Sequence, residues 1–167
     1  MNIFVTSRDP VKAAMYLDDQ RVVKMATESI QMLFTCIDVM CKWEPTMFRP
    51  QQPNHPCTVW VRQAKDNFLW LYEHALALEA EWQFRWGHTK QQAAVLRFNQ
   101  HKGWRHAKNL PKGSTPFVNC AANKEYDLDF KHIDNVHKAY RLYLKARWRF
   151  QQDNAPRTRL PQCSIRL

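Results

Sequence analysis

The sequence predicts an all-α protein: a compact single-domain helical bundle with at most one short N-terminal strand. Apolar residues recur at helical spacing over two long stretches, from Asp18 to Cys41 and from Pro56 to Trp86. Proline and glycine punctuate them at helix starts and stops, as at Pro10, Pro56 and Gly87. The chain has 167 residues, 45% of them hydrophobic, which is enough to bury one core without staples. It carries no internal repeat and no linker. The domain is therefore read as 1–167, with an extended basic tail from about residue 151.

Each element has a local reason. Residues 2–6, Asn-Ile-Phe-Val-Thr, suit one short strand or an extended arm. Asp9-Pro10 is an N-cap and first-turn pair that opens a short helix through Leu17. Asp18 and Asp19 begin or continue a longer helix to about Cys41. Trp43 to Asn54 holds Pro45, Pro50 and Pro53 and reads as a loop. Asn54-His55-Pro56 starts a helix, and the spacing of Trp60, Phe68, Leu71, Ala75, Leu78 and Trp82 carries it to Trp86, where Gly87 stops it. Another helix is expected from His88 or Thr89 to about Gln100. Gly103 to Asp129, with Pro111, Gly113 and Pro116, reads as irregular. A last helix runs from about Ile133 to Phe150, and the tail with Pro156 and Pro161 is expected to be extended.

Composition excludes several classes. With 3 Gly, and neither GxGxxG nor GxxxxGK[ST], a phosphate loop is not expected. No apolar run approaches a membrane span, and residues 1–9 lack the pattern of a secretory signal, so a soluble cytoplasmic protein with no membrane partner is expected. The five cysteines, Cys36, Cys41, Cys57, Cys120 and Cys163, are odd in number and irregularly spaced. They read as reduced thiols rather than as a disulfide framework or a zinc site, and no metal or cofactor is expected.

The net charge of +10 is unevenly distributed. Residues 1–81 carry 8 basic and 10 acidic side chains, whereas residues 82–167 carry 17 basic and 5 acidic ones. Between Glu81 and Glu125 there is no acid, while Arg85, Lys90, Arg97, Lys102, Arg105, Lys108, Lys112 and Lys124 alternate with His88, His101, His106, Trp82, Trp86 and Trp104. A second basic cluster spans Lys131 to Arg166. Cations neutralise phosphates and indoles stack on or wedge between bases, so the second half reads as a nucleic-acid surface. A solvated basic face with buried tryptophans is the plainer alternative.

The helix from Asp18 is the most informative element. Gln20, Arg21, Lys24, Thr27, Glu28, Gln31 and Thr35 fall within a stripe of about 120°, and apolar residues fill the rest. Such a helix is largely buried, and its stripe faces water, a partner or a cleft. Arg21, Lys24 and Glu28 together suit holding a phosphate beside a carboxylate. A plain Lys24–Glu28 pair, stabilising by about 0.3–0.5 kcal/mol, is the alternative. The adjacent Asp18 and Asp19 point about 100° apart and do not form a facing carboxylate pair, so helix capping is the simplest role for one of them. His55 at a helix start could contact phosphate, act as an acid or base, or cap the helix.

Several segments resemble a family of small phage proteins described as pyrimidine-dimer DNA glycosylases, similar to endonuclease V-type glycosylase/lyases. They are Asp9-Pro10, Ala13-Ala14, Asp19, Val22-Val23-Lys24-Met25, Glu28, Gln31, Asn54-His55-Pro56-Cys57 with Trp60, Asn67-Phe68-Leu69-Trp70-Leu71, Arg85-Trp86-Gly87 and Thr115-Pro116-Phe117. In place of the family's His-Cys-Asp-Lys-His run the chain has Leu17-Asp18-Asp19-Gln20-Arg21.

The resemblance implies an enzyme that bends DNA and flips a nucleotide from the stack. It implies attack by an amine, that of Met1 here, to form a Schiff base with AP-lyase chemistry, assisted by Glu28 or Asp19. The residues expected to contact nucleic acid are Arg21, Lys24, His55, Arg62, Arg85, Trp86, His88, Lys90, Arg97, Trp104 and Arg105. A non-catalytic nucleic-acid-binding protein, an enzyme processing hypermodified thymine in phage DNA, and a basic assembly protein remain as alternatives.

Overall fold

The computed structural model describes residues 2–41 and 51–154. Met1, the loop expected around Pro45 and Pro50, and the tail with Pro156 and Pro161 lie outside the described residues. Six α-helices are described: α1 (Pro10–Met15), α2 (Asp19–Cys41), α3 (Pro56–Gln63), α4 (Lys65–Trp86), α5 (Ala93–Gln100) and α6 (Val136–Asn154). Two 3-10 segments (Gly103–Asn109 and Lys124–Tyr126) and two strands, β1 (Ala122–Asn123) and β2 (Leu128–Asp129), complete them. The fold is mostly helical, as expected.

The core gathers around α2 and α4, with Ile30, Leu33, Phe68, Leu71 and Leu78 fully buried. The caps follow the local sequence. The Asp9 carboxylate accepts from the amides of Val11 and Lys12 at 2.8 and 3.0 Å and so starts α1. Gly87 ends α4 with φ 68°, a conformation that favours glycine.

Three departures from the sequence reading have tertiary causes. Residues 56–86 form two helices, because Ala64 is extended (φ −154°, ψ 154°). The first amides of α4 are drawn to the 111–115 loop, with Lys65 N donating to Pro111 O at 2.7 Å and Asp66 N to Gly113 O at 3.0 Å. The Asn67 amide clamps the break, donating to Trp60 O (2.8 Å) and accepting from Thr115 N (3.0 Å). The next helix starts at Ala93 instead of His88 or Thr89. Its capping group is not local: the Glu79 carboxylate on α4 accepts from Gln92 N at 2.8 Å. The region read as irregular contains the 3-10 helix Gly103–Asn109 and an antiparallel hairpin pairing Ala122 with Asp129 and Asn123 with Leu128.

Residues 2–6 take the arm alternative. Phe4 has φ 43°, which breaks a strand path, and α6 side chains claim the arm's carbonyls. His137 Nδ1 lies 2.9 Å from Val5 O, and Arg141 donates to Thr6 O at 2.9 Å. The arm is buried between α6 and the core, and Phe4 packs on Tyr140 and Tyr143.

Candidate functional site

The polar stripe of α2 opens into a cleft of about 380 Å³. Gln20, Arg21, Lys24, Met25 and Glu28 form one wall, Asn2 and Phe4 of the arm another, and Ala122, Asn123, Tyr143 and Arg147 the third. The cleft exists because the apolar girth of α2 is covered by neighbours and the arm passes alongside its stripe.

Within it, Lys24 Nζ lies 3.3 Å from Glu28 Oε1, with Lys24 largely exposed and Glu28 mostly buried. A half-exposed i, i+4 pair of this kind stabilises by only about 0.3–0.5 kcal/mol, too little to hold Glu28 away from another partner. Arg21 differs. Its guanidinium is buried, ion-paired to the fully buried Asp18, and lies over the Phe4 ring at 5.5 Å. Asp18 also accepts from Arg21 N at 3.1 Å, capping α2, and from Trp148 Nε1 at 2.6 Å. Asp18 and Arg21 thus pair with each other. Arg21 contributes positive potential to the cleft wall, but its fork is already engaged.

His55 caps α3, its Nδ1 accepting from Cys57 N at 3.2 Å. Burial lowers its pKa, and the Glu28 carboxylate acts in the opposite direction, so the two groups sense each other. Asn2, the second residue, is locked by its own side chain. Asn2 Oδ1 accepts from the amides of Ile3 (2.8 Å) and Phe4 (3.2 Å), and Nδ2 donates to Cys120 O at 3.2 Å.

The remaining sequence candidates lie elsewhere. Asp19 sits about 180° around α2 from Glu28 and pairs with Arg85 at 3.1 Å. Arg85 is a buried staple, bonded also to Glu81 at 2.9 Å and to the carbonyls of Leu17 (2.9 Å) and Met15 (3.3 Å). Its donors tie α1 and α2 to α4. Arg62 donates to Pro53 O. Trp86, His88 and Lys90 are exposed at the end of α4, with His88 stacked 3.8 Å from Trp82. Arg97 lines a separate open cavity of about 630 Å³ with Val23, Thr27 and Trp82. Trp104 and Arg105 are exposed on the 3-10 helix, the guanidinium 5.3 Å over the indole. Met1 lies outside the described residues.

The sequence reading missed Arg147, Tyr143 and Asn123 as cleft residues. Arg147 donates to Tyr143 Oη at 2.9 Å, and its guanidinium lies 4.7 Å from the Tyr126 ring. Their one sequence signal is the i, i+4 spacing of Tyr143 and Arg147 within the second basic cluster. Among the described residues no group of three His, Cys, Asp or Glu is placed to hold a metal, and no helix is long and apolar enough to cross a membrane.

The sequence profile of the pyrimidine dimer DNA glycosylase family matches residues 1–95, more than half of the chain. The chain belongs to that family. No curated protein and no solved structure matches it. The glycosylase-family segment supplies the arm and α2, whereas Ala122, Asn123, Tyr143 and Arg147 close the cleft from beyond it.

Proposed function

We propose that the protein is a pyrimidine-dimer or modified-pyrimidine DNA glycosylase with AP-lyase activity, acting at the α2 cleft. The observation that carries this reading is the meeting of Glu28 with Asn2, the second residue of the chain, in one cleft of a glycosylase-family chain. Residue 1 precedes Asn2 by a single peptide bond. An α-amine titrates at about 7.7–8.0, which leaves part of it unprotonated and nucleophilic near neutral pH.

In this mechanism a damaged nucleotide leaves the stack and enters the cleft. The Met1 amine attacks the sugar carbon that bears the damaged base. The bond to the base breaks, and an imine forms between the chain and the opened sugar. The Glu28 carboxylate stabilises the positive charge developing on the sugar and then moves protons during β-elimination, which releases the 3′ phosphate and nicks the strand. Lys24 and Arg147 hold the flanking phosphates, and Arg21 adds positive potential from beneath. Asp19 has no part in it, since Arg85 and the girth of α2 separate it from the cleft.

Borohydride reduction tests the reading directly. On duplexes carrying either a thymine dimer or an abasic site, it is expected to trap a covalent adduct, with the DNA on the Met1 peptide. Absence of an adduct and of nicking on both duplexes would refute the assignment. Salt-sensitive binding without turnover would then identify a non-catalytic DNA binder. Base release from modified but not dimer-containing DNA would point to the modified-pyrimidine substrate.

A further inference from the structure

The acid-free stretch between Glu81 and Glu125 begins with a layer behind α2. α5 and the 3-10 helix Gly103–Asn109 pack on each other and on α2. Val23 and Thr27, which share a cavity with the first residues of α5, lie about 140° and 100° around α2 from Glu28. Ile37, beside the 3-10 helix, lies about 180° from it. The layer therefore covers the side of α2 that points away from the cleft. The 3-10 helix is pinned there, because a side-chain carbon at Gly103 would enter the Phe98 ring of α5. Lys90, Lys102, Trp104, Arg105 and Lys108 of this layer are all exposed. The Arg105 guanidinium rests 5.3 Å over the Trp104 ring, which holds it at the surface. Glu79 and Glu81 at the neighbouring end of α4 are buried, closed on Gln92 N and on Arg85. Lys24 and Arg147 stand at the cleft, on the other side of α2. The positive charge is thus divided between two faces.

We propose that the exposed cations of residues 90–108 form a second DNA-binding surface, so that one chain holds two duplex segments, one at the cleft and one at its back. The first segment rests on the cleft taking DNA, as proposed above; the second does not. Duplex DNA presents one negative charge per about 1.7 Å of its axis, which an open row of lysines and arginines neutralises without reading bases. One face of the Trp104 indole is covered by Arg105, so phosphate contact rather than base stacking carries the binding, and the occupant is a duplex rather than a single strand.

Two segments are needed because one does not reach both faces. A domain of this length has a radius of gyration of about 15 Å. Duplex DNA has a persistence length of about 50 nm, so a short piece does not fold back around a body of that size. A chain with its cleft on one duplex therefore keeps its back free for another and bridges the two.

The test mixes the full-length protein with an excess of undamaged duplexes of about 12 base pairs, about 41 Å long, at about 50 mM salt. Native mass spectrometry counts the duplexes on each chain, and an immobilised duplex is used to capture a labelled one through the protein. One chain carrying two duplexes, with capture of the label, is expected. Arg105→Glu combined with Lys108→Glu is expected to leave one duplex per chain, to weaken the lost event at least about 10-fold and to abolish capture; Lys24→Glu is expected to remove the other event. Lys108→Glu alone is expected to lower the salt slope of the back-face event by about 0.9, which serves if the double variant does not fold. Saturation of the wild type at one duplex per chain overturns the proposal, as does bridging that needs two chains or a double variant that keeps both duplexes. If the single event is the one lost in Lys24→Glu, the glycosylase reading of the cleft survives; if it is the one lost in the double variant, that reading falls as well. Polyglutamate bound at the back beside a single duplex would overturn the proposal in favour of an acidic protein partner.

Discussion

Three side chains have separate roles, two at the cleft and one in the core. In the proposed mechanism Glu28 is the chemical one. Replacing it by Gln keeps size and polarity but removes the charge, and general acid–base groups contribute about 10²–10⁴-fold. Glu28→Gln is therefore expected to lower nicking by at least about 10²-fold while DNA affinity stays within a few-fold, read by single-turnover assays beside binding titrations. Asp18 is structural, a fully buried carboxylate serving Arg21 and Trp148. Asp18→Ala leaves Arg21 buried and uncompensated, so a loss of about 3–5 kcal/mol in unfolding free energy is expected by denaturant titration; a loss under 1 kcal/mol would contradict this account. His74 is fully buried, its Nδ1 2.9 Å from Pro10 O, and burial lowers its pKa to about 4. Its ordinary value is 6.5, so the unfolded chain binds a proton there before the folded one does. The associated stability is present above pH 6.5 and is lost as pH falls toward 4, up to about 3 kcal/mol. Melting curves between pH 7 and 4.5 are expected to fall less steeply for His74→Gln than for the wild type.

The elements show where local signals were sufficient. The α1 start is written in Asp9-Pro10, and the end of α4 in Gly87, because each cap is a neighbour in sequence. The break at Ala64 is not written there, since the groups that hold it are Pro111, Gly113 and Thr115. Asn67 is the clamp: it is buried and bonded to both sides of the break. Asn67→Ala strands the Trp60 carbonyl and the Thr115 amide, and about 2–3 kcal/mol of destabilisation is expected, with α4 retained in circular dichroism. The α5 start was displaced for a similar reason, because Glu79 supplies from another helix the cap that Gln92 lacks.

For the whole molecule the charge asymmetry is the main predictor of behaviour. The cleft lies near the start of α2, while the 3-10 helix bearing Trp104 and Arg105 packs near Ile37, about 14 Å further along the axis. Ile37 lies about 180° around α2 from Glu28, so the exposed Arg105 belongs to a basic surface apart from the cleft wall. Arg105→Ala is expected to weaken binding of damaged and undamaged DNA alike and to reduce the log K against log salt slope by about 1. Arg85→Ala is expected to change stability rather than that slope, because Arg85 is closed off by Asp19 and Glu81.

The sequence by itself determined the helical class, most helix ends, the polar stripe of α2 and the basic second half, because periodicity, capping and charge are local properties. Of the residues it singled out, Lys24 and Glu28 pair within the cleft. Only the tertiary structure decided that Asp19 and Arg85 close on each other, that Asp18 occupies Arg21, and that Arg147, Tyr143 and Asn123 complete the cleft. Those outcomes depend on which side chains from distant segments reach one another first, and a buried charge accepts whichever partner the packing supplies.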